Sequence, residues 1–529
     1  VTGRAEESAG SGGDAPRDAR AAARVGAGIF LSRLAGFARE RVTGYWFGAG
    51  DYADAWRAAL RLPNVLQNLL GEGTLSASFI PVYAEFLEQG RDEEAGRFAG
   101  AALGILLAVA GALALIGAAA APLLVALFFS EWDEGKQAVT TTLVRILFPM
   151  SGVAVLGAWA LGILNSHRRF FVSYVAPVFW NLAMIVTLVA GGAWLGLGLE
   201  DLVVALGWGA LVGGGLQLGV QLPFVFRHAR GIRISLGRRV QGVREAVRSF
   251  GPVVAARGVV NLSGWIDVIL AARLADGAVA LLGYAQTFYV LPISLFGMSV
   301  AASELPELSR KRGHSVHALA GRVSTALRRA SFFLIPSAVG YLALGDVIVA
   351  ALYETGAFGS AETLITWGVL CGYALGLAAS GSSRVLSSAF YALRDTRTPA
   401  RIAVLRVIAS AAIGIALMFP LDAVGFRTLR LGAAGLSLGA SAGAWLEYVL
   451  LRRALASSIG PHGPGVGTTL RMTLAAVLAA AAGVGLQLFL PAGHPIVVAL
   501  ETLLPFGVVY LAASAVLGVP IPSPRLLRR

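Results

Sequence analysis

The stretch from position 31 to 86 carries Arg33, Arg39, Glu40, Arg41, Asp54, Arg57, Arg61 and Glu72 in an otherwise apolar run. A guanidinium near the centre of a bilayer costs roughly 3 kcal/mol on insertion scales, so such residues persist where they face water or a charged ligand. A guanidinium stays protonated and grips phosphate oxygens with a fixed fork, which suits a pyrophosphate. Arg33 and Arg39 stand roughly 120° apart around a helix. They cannot share a narrow stripe, but both can border a wide cavity. The alternative for Arg39, Glu40 and Arg41 is a snorkelling cluster near one membrane face. Arg57 and Arg61 are one turn apart, with Asp54 a turn earlier, so a ladder of ion pairs explains them as well as a ligand does. Glu72, between Gly71 and Gly73, is read as deep in its span. An intramembrane carboxylate points to function, as partner of a cavity arginine or as a proton carrier, and the glycines allow a bend. Further on, Arg257 and Asn261 sit one turn apart among Val, Ala and Gly, while Asp267 and Arg273 are read as solvated near a helix end. Glu304, before Pro306 and Glu307, is read as interfacial.

The elements that position these residues follow from composition. The 529 residues are 56% hydrophobic and 14% charged, with mean hydropathy +0.72. That is an all-α polytopic membrane protein. Continuous Ala/Leu/Gly runs exclude the alternation of a β-barrel. The net charge of +13 sits in loops between spans, and no basic soluble domain exists to bind nucleic acid. Cys371 is the only cysteine, which excludes an intrachain disulfide or a cysteine metal cluster. The six histidines show no ligand spacing, so no metal is expected. No nucleophile–base or paired-carboxylate pattern stands out, so neither an enzyme nor a cofactor is expected. Gly209-x-x-x-Gly213 reads as close helix packing rather than a phosphate loop.

In chain order, residues 1–20 read as a disordered cytoplasmic tail without a signal peptide. The first span covers 21–47 and the second 52–87. Apolar segments then recur at 97–129, 138–166, 170–196, 200–227, 244–274, 277–309, 316–353, 362–392, 398–420, 429–455, 467–491 and 495–518, about fourteen spans in all. Loops alternate: one set carries two or more Arg or Lys each, the other is mostly acidic or neutral, 420–431 excepted. The bias places the basic set and both termini in the cytoplasm. Leu62-Pro63 with Ser78-x-x-Pro81 is echoed by Leu291-Pro292 with Ser303-x-x-Pro306. This suggests two six-helix lobes of like orientation, 21–230 and 231–460, around a central cavity. The helix pair and basic tail at 461–529 fall outside the repeat.

Six stretches resemble one family: SRLAGFARE at 32–40, LRLPNVLQNLLGEGTLSASFIPVYAEF at 60–86, GILNSHRRFFVSYVAPVFWNL at 162–182, LYETGAFG at 352–359, FYALRDTRTPARIA at 390–403 and AAGLSLGASAGAWLEYVLLR at 433–452. They resemble the MurJ (MviN) lipid II flippases of the MOP exporter superfamily. The resemblance implies two helical lobes around a cavity, a last helix pair forming a groove for the lipid tail, and movement of lipid-linked peptidoglycan precursor to the outer leaflet of the bacterial inner membrane. It implies alternating access without nucleotide hydrolysis, with lipid II and membrane lipids as partners; the sequence does not give the oligomeric state, and a monomer is the default expectation. Family cavity residues fall on Ser32, Arg33, Arg39, Asn64, Glu72 and Ser76, and an acidic family position on Glu40; gating or charge pairing is expected of Glu40, Asp54 and Asp267. Two departures stand out. Gln67 and Asn68 occupy the place of a basic residue, and Tyr284-Ala285-Gln286-Thr287 lacks the family's arginine. Arg257 and Arg61 are expected to restore that charge. The region 401–419 offers only Ser410 beyond Arg406 as a polar group for a cation, which argues against sodium coupling. A flippase for another polyprenyl-diphosphate glycan, a drug exporter of the same superfamily and a non-transporting cell-wall scaffold stand as alternatives.

Overall fold

A computed structural model describes residues 15–237, 240–297, 316–426, 429–489 and 493–522. The described chain is helical apart from a two-residue antiparallel pair, Gly425–Phe426 with Leu429–Arg430, and an isolated bridge. Its helices are α1 (Ala15–Phe47), α2 (Asp51–Leu70), α3 (Glu72–Ser78), α4 (Ile80–Glu88), α5 (Asp92–Ala119), α6 (Ala121–Phe128), α7 (Glu134–Ser166), α8 (Phe170–Val189), α9 (Leu199–His228), α10 (Val243–Ala271), α11 (Ala278–Pro292), α12 (Val316–Tyr353), α13 (Ser360–Ala392), α14 (Arg397–Asp422), α15 (Gly432–Ile459), α16 (Val466–Gln487) and α17 (Pro495–Val516). Among the described residues, eleven helical segments are long and apolar enough to cross a membrane. Three more helices, α1, α2 and α10, have 20 residues or more. They carry Arg33, Arg61 and Arg257, and with them the architecture is compatible with fourteen spans.

Two expectations change. Residues 15–20, read as tail, are the first turns of α1. The second span is not one rod: α2 stops at Leu70, Gly71 is extended (φ −85, ψ −154), and α3 and α4 follow. A Cβ at Gly71 would stand 2.1 Å from the Gln67 carbonyl oxygen, so the break closes only around glycine. Ser303, Glu304, Pro306 and Glu307, including the second half of the repeated motif, lie outside the described residues.

The described residues pack as two units. The first takes the chain up to Thr43, then Ala59–Leu127 and Gln137–Asn261; the second takes Gly44–Ala58, Phe128–Lys136 and the chain from Leu262 on. In the first, Phe79 stacks on Tyr83 and Phe98, with centroids 5.4 and 5.2 Å apart. The buried Trp159 indole donates to the Ala99 carbonyl at 3.1 Å. Helices α8 and α9 meet where Gly209 faces Thr187 and Gly213 faces Trp180 and Ala183, the close approach that small residues permit.

In the second unit, Gly372 and Gly376 of α13 face Ser437 and Ser441 of α15, and the Ser441 hydroxyl donates to the Gly372 carbonyl at 2.6 Å. Gly435, Gly439 and Gly443 bring α14 against the other side of α15. The last pair, α16 and α17, packs on α12 through Phe332, Met472, Ala476 and Tyr510. The Tyr510 hydroxyl donates to the Phe332 carbonyl at 2.6 Å. Helix α14 exposes Val404, Leu405, Ile408 and Phe419, an apolar face suited to lipid.

Candidate functional site

In the first unit, α1 carries Ser32, Arg33, Arg39 and Glu40. Arg39 donates to the buried carboxylate of its neighbour Glu40. Its guanidinium also lies over the Trp180 ring, 5.0 Å from the centroid, and its side chain keeps 18% exposure. The charge is offset on one side by a carboxylate and on another by an aromatic face, and remains reachable. Arg33 and Ser32 are half-buried. Among the described residues Arg33 has no hydrogen-bond or ion-pair partner. Arg61 and Asn64 of α2 are half-buried, while Glu72 and Ser76 of α3 are exposed. Glu72 is therefore not deep in a continuous span. The break at Gly71 makes it the first residue of a new helix, where the unpaired N–H groups favour a carboxylate. Arg257 lies on α10; its side chain is outside the described residues.

Asp54 belongs to the second unit, where it joins a cluster centred on Lys136. The Lys136 ammonium donates to Asp51, Asp54 and Asp276, each at 2.9 Å. Lys136 and Asp54 are each 2% exposed, against 52% for Asp51 and 76% for Asp276. Asp54 also accepts the Gly277 and Ala280 amides at 2.8 and 2.7 Å, the free N–H groups at the start of α11. The Trp132 ring lies 4.5 Å from the Lys136 nitrogen. The chain at the starts of α2, α7 and α11 is thus tied through a single ammonium. The Asp54 carboxylate takes its cation from a residue 82 positions away in the chain.

Nearby, Arg57 lies 4.6 Å from the Tyr284 ring centroid, and the Tyr284 hydroxyl donates to the Gly48 carbonyl at 2.8 Å. Gln286, where the family's arginine is missing, donates to the Tyr373 hydroxyl at 3.0 Å. Arg406 of α14 donates to Glu447 of α15 at 2.5 Å. Asp267 is half-buried within electrostatic reach of that guanidinium, so it is not simply solvated. Arg273 is exposed, 3.6 Å from Glu131. A groove of about 690 Å³ in the same unit is lined by Ile335, Val339, Ala378, Trp445, Arg452 and Leu470, among others.

Lys136 and the Arg406–Glu447 pair were not singled out by sequence. Lys136 had one signal, being one of two lysines in an arginine-rich chain. The pair had none, because its halves lie on different helices.

Eleven long apolar helical segments among the described residues, with charged side chains on the long helices beside them, define a polytopic membrane protein. The solved lipid II flippase MurJ in an inward closed conformation superposes with a TM-score of 0.76 at 23% identity, over 93% of this chain and 98% of that one. An inward-facing MATE multidrug transporter of the MOP superfamily gives 0.64 at 15%, over 83% and 98%. Both likenesses speak for the fold. The lipid II flippase MurJ family model matches residues 43–516. A MurJ relative from Rhizobium tropici is 34% identical over 437 residues, 81% of this chain and 79% of its own. The chain belongs to the MurJ lipid II flippase family.

Proposed function

We propose that this protein moves lipid II from the cytoplasmic to the outer leaflet of the inner membrane by alternating access, with both termini in the cytoplasm. The family match over residues 43–516 carries the reading. The arrangement of α1 supports it: Arg33 offers a guanidinium without a partner among the described residues, and Arg39 offers one held over Trp180. A diphosphate brings the oxygens such forks take up. Ser32, Asn64 and Ser76 supply neutral hydrogen-bonding groups for the headgroup; Arg61 and Arg257 supply further positive charge. Glu40 holds Arg39 until substrate arrives, and Glu72 stands at the start of α3 for an exchange of partners. Asp54, through Lys136, holds one side closed. The test is rescue of cells depleted of their own lipid II flippase. Wild type is expected to restore growth, and Arg33→Ala is expected not to. Failure of the wild type, with rescue of a strain lacking a flippase for a different polyprenyl-linked glycan, overturns the choice of lipid II.

A further inference from the structure

Among the described residues, helix α7 is the most enclosed of the apolar spans. Beyond its first two residues it leaves only Ala138, Thr142 and Arg145 exposed. Those positions are four and three residues apart, so they form one stripe of the helix. No large hydrophobic residue of α7 is exposed, whereas α14 bares Val404, Leu405, Ile408 and Phe419. The open stripe of α7 is therefore not a face built for lipid. It ends inward on Arg145, roughly 16 Å along the helix from Glu134 at 1.5 Å per residue. Counted in the same way from Phe47, Arg39 lies roughly 12 Å and Arg33 roughly 21 Å along α1. All three arginines belong to the first unit. Among the described residues Arg145 has no hydrogen-bond or ion-pair partner.

An exposed guanidinium at that depth is costly in hydrocarbon. A wet stripe ending on it explains both its exposure and the small or polar residues leading to it. Resting on the lipid II reading, we infer that Arg145 is a further diphosphate-binding residue, meeting the headgroup on the outer half of its path along the Thr142–Ala138 stripe. Helical side chains lean toward the helix N-terminus, so Arg145 leans toward that exit. A guanidinium that merely snorkels to the interface would also lean this way, but it would tolerate a neutral replacement.

The experiment is leaflet transfer of labelled lipid II in proteoliposomes, with wild type, Arg145→Ala, Arg145→Gln and Arg145→Lys. The two neutral variants are expected to lose at least tenfold in initial rate, and the lysine variant to recover part of it. Thermal unfolding of all four should coincide. In parallel, Arg145→Cys in a Cys371→Ser background is expected to react with a membrane-impermeant charged thiol reagent, and more slowly with lipid II present. A wild type that flips beside an Arg145→Ala that keeps pace overturns the assignment alone. A thiol reached only by a lipid-soluble maleimide overturns it too. A wild type that flips nothing while the thiol reacts with the aqueous reagent overturns the substrate reading, and with it the diphosphate assignment.

Discussion

Arg39 and Lys136 are both enclosed cations, but they are held differently. Lys136 is saturated: three carboxylates take its three N–H bonds and its side chain is 2% exposed. Arg39 has one carboxylate, one ring and 18% exposure, so its fork can still take a ligand. Glu40→Gln should leave Arg39 in place over Trp180, and is expected to raise the affinity for a soluble diphosphate severalfold in a titration. An unchanged affinity would mean that Glu40 does not compete with substrate. A second residue-scale expectation concerns His167, on the turn before α8. Its Nε2 is 3.0 Å from the Tyr83 hydroxyl. Burial, then the neighbouring His228, hold its pKa below the usual imidazole value. The folded state thus binds fewer protons than the unfolded one, and stability falls as pH drops from about 6.5, the ordinary imidazole value, toward the lower folded value. Thermal unfolding between pH 7.5 and 5 should show this slope, and His167→Gln should reduce it. Arg33 and Arg39 were legible in the sequence because a charge in an apolar run is a one-dimensional signal. The Asp54–Lys136 pair was not, since nothing in Asp54's neighbourhood names a partner 82 residues away.

At the scale of elements, the Lys136 cluster ties three carboxylates to one buried ammonium. It joins the starts of α2, α7 and α11 through one nitrogen. Removing one partner of a buried ion pair costs about 3–5 kcal/mol, because the other charge is left uncompensated. Lys136→Met is expected to lower stability by about that much, read from the unfolding midpoint of purified protein, whereas Asp276→Asn, at the exposed rim, should have a much smaller effect. The break after α2 makes a separate prediction. Gly71→Ala forces a methyl against the Gln67 carbonyl, and overpacking of this kind costs about 1–3 kcal/mol. A midpoint equal to wild type would show that the break relaxes freely. The apolar spans were legible because a run long enough to cross a bilayer has little other use. The break was harder to see: a glycine inside a helical pattern reads equally as a tolerated residue, and only the Gln67 carbonyl decides the matter.

At the scale of the whole molecule, the family resemblance carried by six stretches agrees with the match over residues 43–516 and with a fold shared with MurJ and MATE transporters. The lobes drawn from the repeated Leu-Pro and Ser-x-x-Pro motifs follow chain order, whereas the packing units place Gly44–Ala58 and Phe128–Lys136 with the second. Chain order counts helices; packing sorts their ends by what they touch, and the Lys136 cluster draws those ends together. The central claim is that the arginines of α1 carry a diphosphate across the bilayer. It is tested most directly by the rate at which labelled lipid II crosses proteoliposome membranes, with wild type against Arg33→Ala and Arg39→Ala. Transfer by the wild type, and at least a tenfold loss in each folded variant, is the expected result. Variants that keep the wild-type rate would contradict it.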